Sequence, residues 1–155
     1  MIGRTDDRSA RMIDRLALAT VMVGLTVTVH FFGLMALLWT LRARAHAVHD
    51  TWRREGAAIF VVVLGLMLIH AVEVWLYAGA YLLLDALPDL ETAVYFSTAS
   101  FTTIGYGDVV LDKKWRLVGA IEGANGLLLF GWSTAFLFSV ISRMRALEHD
   151  WLERR

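Results

Sequence analysis

Residues Leu16 to Leu41, LALATVMVGLTVTVHFFGLMALLWTL, run for 26 positions without a formal charge. As a helix this stretch extends about 39 Å, against a bilayer hydrocarbon thickness of about 30 Å. Tilt or overhang is therefore expected. A signal peptide is the other reading of an N-terminal apolar run, but its apolar region is usually only about 7–15 residues long. The Ala45–Ala47 stretch, AHA, is a weak cleavage signal. A second apolar segment runs from Ala57 to Ala86, interrupted by His70 and Glu73, and a third from Leu117 to Ile141, interrupted by Glu122. Over 155 residues, a hydrophobic content of 57% with a single proline describes a small, one-domain polytopic membrane protein.

Between these runs the chain is charged. Residues 1–15 form a tail of arginines and aspartates, 42–56 a charged connector in which Trp52 suits a headgroup anchor, and 144–155 a polar tail. A formal net charge of zero gives no reason to expect nucleic acid, and the absence of cysteine excludes disulfides and thiolate metal sites. No nucleophile motif, phosphate-cradling loop or metal-ligand cluster is visible by spacing, so no enzymatic activity and no cofactor are expected.

The segment between the second and third runs spans Leu87 to Arg116. Pro88, Asp89 and Glu91 suit a helix start, and 90–102 would make a helix of roughly 20 Å. It leads into Thr102-Thr103-Ile104-Gly105-Tyr106-Gly107-Asp108. A short helix followed by a glycine-rich strand between two spans is a re-entrant pattern. Irregular backbone is tolerated at membrane depth only where protein or a water-filled path surrounds it, and burial at a symmetry axis is expected. Successive carbonyls can point to one side only if the dihedrals alternate in hand, which is cheap for glycine. Gly105 and Gly107 supply that freedom, and the Thr103 hydroxyl adds another oxygen. Rows of oxygen suit a hard monovalent cation that must shed its water.

TTIGYGD resembles the selectivity filter of the potassium channel family, whose usual form is TVGYG. The resemblance covers residues 57–143: outer helix 57–86, pore helix 90–102, filter 103–107 and inner helix 117–143. The chain is similar to a small prokaryotic-type member with an extra membrane helix at 16–41. The fold implied is an all-α membrane protein, with three transmembrane helices plus a re-entrant pore helix and filter strand, assembling as a fourfold pore. One filter segment per chain then implies a homotetramer. K+ ions would bind at Thr103, Ile104, Gly105 and Tyr106, with Gly107 completing the filter and Thr102, Asp108, Tyr95 and Phe96 supporting it. The Tyr106 ring should pack on Tyr95 and Phe96. Some relatives place a carboxylate partner for this aspartate where Ala99 stands, so a different support for Asp108 is required. Ile104 replaces the commoner valine.

The third run carries Gly119, Gly123, Gly126 and Gly131. Packing accounts for Gly119 and Gly123. By resemblance, Gly126 stands at a hinge position and Gly131 at a second small position below it. Spacing from the filter puts Leu127, Phe130 and Thr134 at a water-filled cavity. His30, His70, Glu73 and Glu122 lie inside apolar runs and need partners. They are read as a buried polar network that braces the scaffold, with a pH-sensing cluster and a proton pathway as alternatives.

The resemblance implies passive, potassium-selective conduction in an integral, multi-pass protein of the bacterial inner (plasma) membrane, in contact with lipid. A weakly selective cation channel and a non-conducting regulatory subunit are the alternatives. The pore loop would lie outside and the C-terminus inside, so three spans put the N-terminus outside. Basic residues do not decide orientation, with eight on the inner side against seven on the outer. The first run has no repeated arginines and is no voltage sensor of the usual kind. It is expected at the periphery against the outer helix, although folding as a hairpin would return the N-terminus to the cytoplasm.

Overall fold

The computed structural model describes residues 3–44 and 51–152, and among them the chain is helical with no β-strand. Four helices follow in order: α1 (Gly3–Arg44), α2 (Thr51–Leu83), α3 (Leu90–Phe101) and α4 (Arg116–Leu152). Three contain apolar stretches long enough to cross a bilayer: Met12–Ala43, Gly56–Leu83 and Arg116–Arg143. The protein is thus an all-α, multi-pass integral membrane protein. Only 22–33% of the most apolar part of each span is buried within the chain. Large apolar side chains such as Trp39, Leu128 and Phe138 face outward, as lipid or a second copy requires.

Helix α1 is one unbroken helix of 42 residues, which removes the hairpin alternative. The charged N-terminal stretch continues this helix from Gly3 instead of forming a separate tail. The connector is also shorter than expected, because α2 already begins at Thr51. The proposed anchoring of Trp52 and the Ala45–Ala47 stretch lie outside what is described. Nor is α1 confined to the periphery beside the outer helix: it packs against both α2 and α4.

After α2, Asp85 takes a positive φ of 49° and the chain reverses through Leu87, which is buried. Asp89 then caps α3 from an extended conformation. Its carboxylate accepts the backbone N–H and the hydroxyl of Thr92, each at 2.8 Å. With 12 residues, α3 is about 18 Å long and cannot cross the membrane. It enters and stops in the interior, where Ala93, Phe96, Ser97 and Phe101 are buried. Around them lie Tyr77 and Tyr81 of α2 and Val118 and Leu129 of α4, forming the larger apolar core. A second core of Leu34, Val62, Leu66 and Ile69 joins α1 to α2, with Phe136, Leu137 and Val140 of α4 packed against it.

Candidate functional site

The backbone after α3 alternates in hand. Thr103, Gly105 and Gly107 have φ of +61°, +54° and +78°. Both glycines were legible as the residues that permit this; Thr103 was not. A β-branched residue there is unusual, at a cost of about 1–2 kcal/mol against right-handed backbone. The alternation also explains why the expected filter strand is not a β-strand, since a pleated strand keeps one sign of φ. The helix end supplies anchors: Thr103 N–H donates to Ser100 O and Gly105 N–H to Ala99 O, both at 3.0 Å. Two amides of the segment are thereby tied to α3. None of the carbonyls from Thr103 to Gly107 accepts a hydrogen bond from the described residues. The chain itself therefore leaves a run of backbone oxygens open to an external partner.

The side chains around this segment answer the question left by Ala99. The Tyr95 hydroxyl donates to Asp108 Oδ2 at 2.7 Å. This bond holds the Asp108 carboxyl below the ordinary carboxylate range and raises the Tyr95 phenol. A tyrosine eight residues before Thr103 thus takes the supporting role that a carboxylate at the Ala99 position would have filled. Phe96 pairs edge-to-face with Tyr81, with ring centroids 5.4 Å apart, not with Tyr106. Tyr95, Phe96 and Tyr106 do line one cleft between α3 and the segment. Tyr106 remains 72% exposed within one chain. Thr102 donates its hydroxyl to Thr98 O at 2.6 Å, closing the last turn of α3.

Helix α4 supports the segment from behind. A Cβ on Gly126 would stand 2.0 Å from the carbonyl oxygen of Phe101, so only glycine lets α4 reach the end of α3. The contact accounts for Gly126 by packing, the reason expected at Gly119 and Gly123, whereas nothing lies within 4 Å of a Cβ on Gly131. Leu127 and Thr134 are exposed, as residues facing a cavity would be. Phe130, at the edge of the same stripe, instead turns inward. Its ring packs on His70 at 4.2 Å and on Phe101 at 5.7 Å.

The four intramembrane titratable residues do not form one network. Glu122 is fully buried and joins Tyr81 and Ser97: the Tyr81 hydroxyl donates to its Oε2 at 2.6 Å, and Ser97 reaches Oε1. Ser97 Oγ also lies 2.9 Å from the Val74 carbonyl, so this cluster binds α2, α3 and α4 together. Glu73 is separate and faces both histidines, with His30 Nδ1 2.9 Å from Oε1 and His70 Nδ1 2.8 Å from Oε2. The expectation of a single network placed Glu122 with Glu73. The helix faces decide otherwise, because Glu122 points toward α3 and Glu73 toward α1. A further polar bond was missed: Asn125 Nδ2 donates to Thr26 Oγ1 at 2.8 Å and lies 3.3 Å from the Tyr77 hydroxyl. An asparagine within an apolar span was a signal for it. Ser97, one of many hydroxyls on α3, offered none.

No solved structure matches the chain. Residues 57–143, more than half of its length, match a protein-family model described as ion channel. That region contains the whole of α3, the alternating backbone segment and most of the helices on either side of them. The chain therefore belongs to this ion channel family.

Proposed function

We propose that four copies of the chain form a potassium-selective channel of the bacterial inner (plasma) membrane, conducting K+ passively. The observation that carries the proposal is the alternation of positive φ at Thr103, Gly105 and Gly107 beside carbonyls left without internal partners. Such oxygens substitute for the hydration shell of a hard monovalent cation. In this reading K+ is held by the carbonyls of Thr103, Ile104, Gly105 and Tyr106 and the Thr103 hydroxyl. Gly107 completes the turn, and Asp108, ionised by its bond to Tyr95, adds negative charge at the outer mouth.

The homotetramer rests on two features. One chain supplies a single oxygen row and cannot surround an ion. The same chain leaves Ile104, Tyr106, Leu127 and Leu128 exposed, an apolar surface that neighbouring copies would cover. Leu127 and Thr134 would then line the cavity below the filter, Gly126 would seat α4 on α3, and the open surroundings of Gly131 leave room for a bend there.

The test is flux through the purified full chain in liposomes, K+ against Na+. The expected outcome is K+ flux with little Na+ flux. Equal fluxes would place the protein among weakly selective cation channels, and no flux of either ion would make it a non-conducting subunit. Substitution Gly105→Ala, which forces a side chain onto a φ of +54°, is expected to abolish K+ flux while the chain still inserts and assembles.

A further inference from the structure

The polar cluster between α1 and α2 has more donors than a brace requires. His30 comes from α1, His70 and Glu73 from one face of α2, and both imidazoles present Nδ1 to the same carboxylate. One ligand atom from each residue can be chosen so that all three lie within 4.8 Å of one another. Ligands placed tetrahedrally at the usual Zn–N and Zn–O distances stand about 3.3 Å apart. The two imidazoles reach different oxygens of Glu73, at 2.9 and 2.8 Å, which leaves the three side chains close enough to converge on one ion. His30 and Glu73 are fully buried, and His70 is 12% exposed.

Hydrogen-bond accounting separates a metal site from one in which both imidazoles donate to an ionised Glu73. If two neutral imidazoles donate Nδ1–H to Glu73, both Nε2 atoms carry lone pairs. Ser133 can donate to that of His70, 2.9 Å away. His30 Nε2 is buried and has no hydrogen-bond partner among the described residues, which is costly in an apolar interior. If Nδ1 of each ring instead binds a cation, each Nε2 carries the proton. His70 Nε2–H then donates to Ser133 Oγ, the second partner that metal-bound histidines characteristically have. The His30 ring packs on the indole of Trp132, with centroids 5.1 Å apart. An aromatic ring is a weak acceptor for an N–H and offers a lone pair nothing. A proton on Nε2 also results if His30 is protonated or if a protonated Glu73 donates to its Nδ1, so the feature that points to a metal is the convergence of two imidazoles on one carboxylate.

We propose that His30, His70 and Glu73 form a site for a divalent transition ion of the Zn2+ type, with Ser133 orienting His70. Two histidines and a carboxylate leave one position for water or hydroxide, the donor set of an open zinc site. A groove of about 180 Å3 between α2 and α4, lined by His70, Phe130, Ser133 and Thr134 among others, borders the cluster on its Ser133 side. Once bound, the ion joins the additional helix to the outer helix and, through Ser133, to the inner helix. The site stands outside the filter and does not depend on which ion the pore selects.

The test uses tag-free full-length protein in detergent, stripped with a chelator and titrated with Co2+ at neutral pH. The expected result is saturable binding of one ion per chain, with the visible ligand-field bands of tetrahedral cobalt, reversed by Zn2+. His30→Gln and Glu73→Gln should each abolish the bands while eluting from gel filtration as the parent does. Should Glu73→Gln not fold, His30→Gln and His70→Gln carry the test. Ser133→Ala should weaken binding about 10-fold or more. The chain has five histidines, so binding that survives these substitutions belongs to others and overturns the assignment. Absence of saturable binding in the parent overturns it too, as does a cluster that responds to pH and ignores metal. Each outcome is read from metal content and spectrum, so it is independent of the liposome measurement.

Discussion

The re-entrant segment and the polar seams between the spans both put polar groups at membrane depth, and they do so in opposite ways. From Thr103 to Gly107 the polar groups are backbone, the side chains are exposed, and one chain leaves the oxygens without partners. At Glu122, Glu73 and Asn125 the polar groups are buried side chains whose partners lie within the same chain, most of them on other helices. Irregular backbone in the bilayer must be covered by protein or open to water, so the first region is incomplete until something external completes it. The second is almost complete within one subunit and fixes the frame that presents the first. Among the described residues its one orphaned atom is His30 Nε2, on the imidazole whose Nδ1 we propose as a metal ligand.

The two regions meet where α4 crosses the end of α3, and the largest effect is expected there. Gly126→Ala puts a Cβ 2.0 Å from the Phe101 backbone oxygen, which cannot move without moving the segment after α3. Loss of assembled protein on gel filtration, or of all K+ flux from any that assembles, is the expected outcome. Normal flux would show that the two regions are not rigidly joined. Next is Glu122→Ala, which leaves the buried Tyr81 hydroxyl without its acceptor at a cost of about 1–3 kcal/mol, while Ser97 keeps the Val74 carbonyl. Thermal unfolding in detergent should shift clearly downward, and less for Glu122→Gln, which keeps both positions occupied.

Asn125→Val tests whether α1 belongs to the frame. Interhelical hydrogen bonds in membranes average about 0.6 kcal/mol and reach about 1.7, so a small loss of thermal stability with flux retained is expected. A complete loss of flux would instead make α1 part of the conducting unit. The mildest change is Tyr95→Phe. The Tyr95 hydroxyl favours the ionised form of Asp108, so that charge persists above a depressed pKa and is lost only as pH falls through it. Without the hydroxyl the loss should move to higher pH, shifting the acid limb of K+ flux upward. An unmoved acid limb would mean that the charge on Asp108 does not influence permeation.

Much of this was legible in the chain alone. Three apolar runs, a short helix between two of them and the alternation of Gly105 with Gly107 follow from local sequence, because hydropathy, capping and backbone freedom are local properties. Asp89 was readable as a helix start for the same reason. The partners were not. The spacing that joins His70 to Glu73 within one helix says nothing of His30, which arrives from another. Position within apolar runs grouped Glu122 with Glu73, yet rotation about the helix axis sends them to different neighbours. Tyr95 was noted as an aromatic beside the filter, and only the path of the chain after Gly107 brings Asp108 to its hydroxyl.

The sequence by itself determined the membrane class, the number of spans and the place of the oxygen-bearing backbone, since each is set by residues within a few turns of one another. The tertiary structure decided which polar groups pair, that α1 is part of the frame, and that Gly126 is required by contact with Phe101. Those depend on helix rotation and close approach between segments far apart in sequence, and packing distances of a few ångströms are not encoded in any one of them.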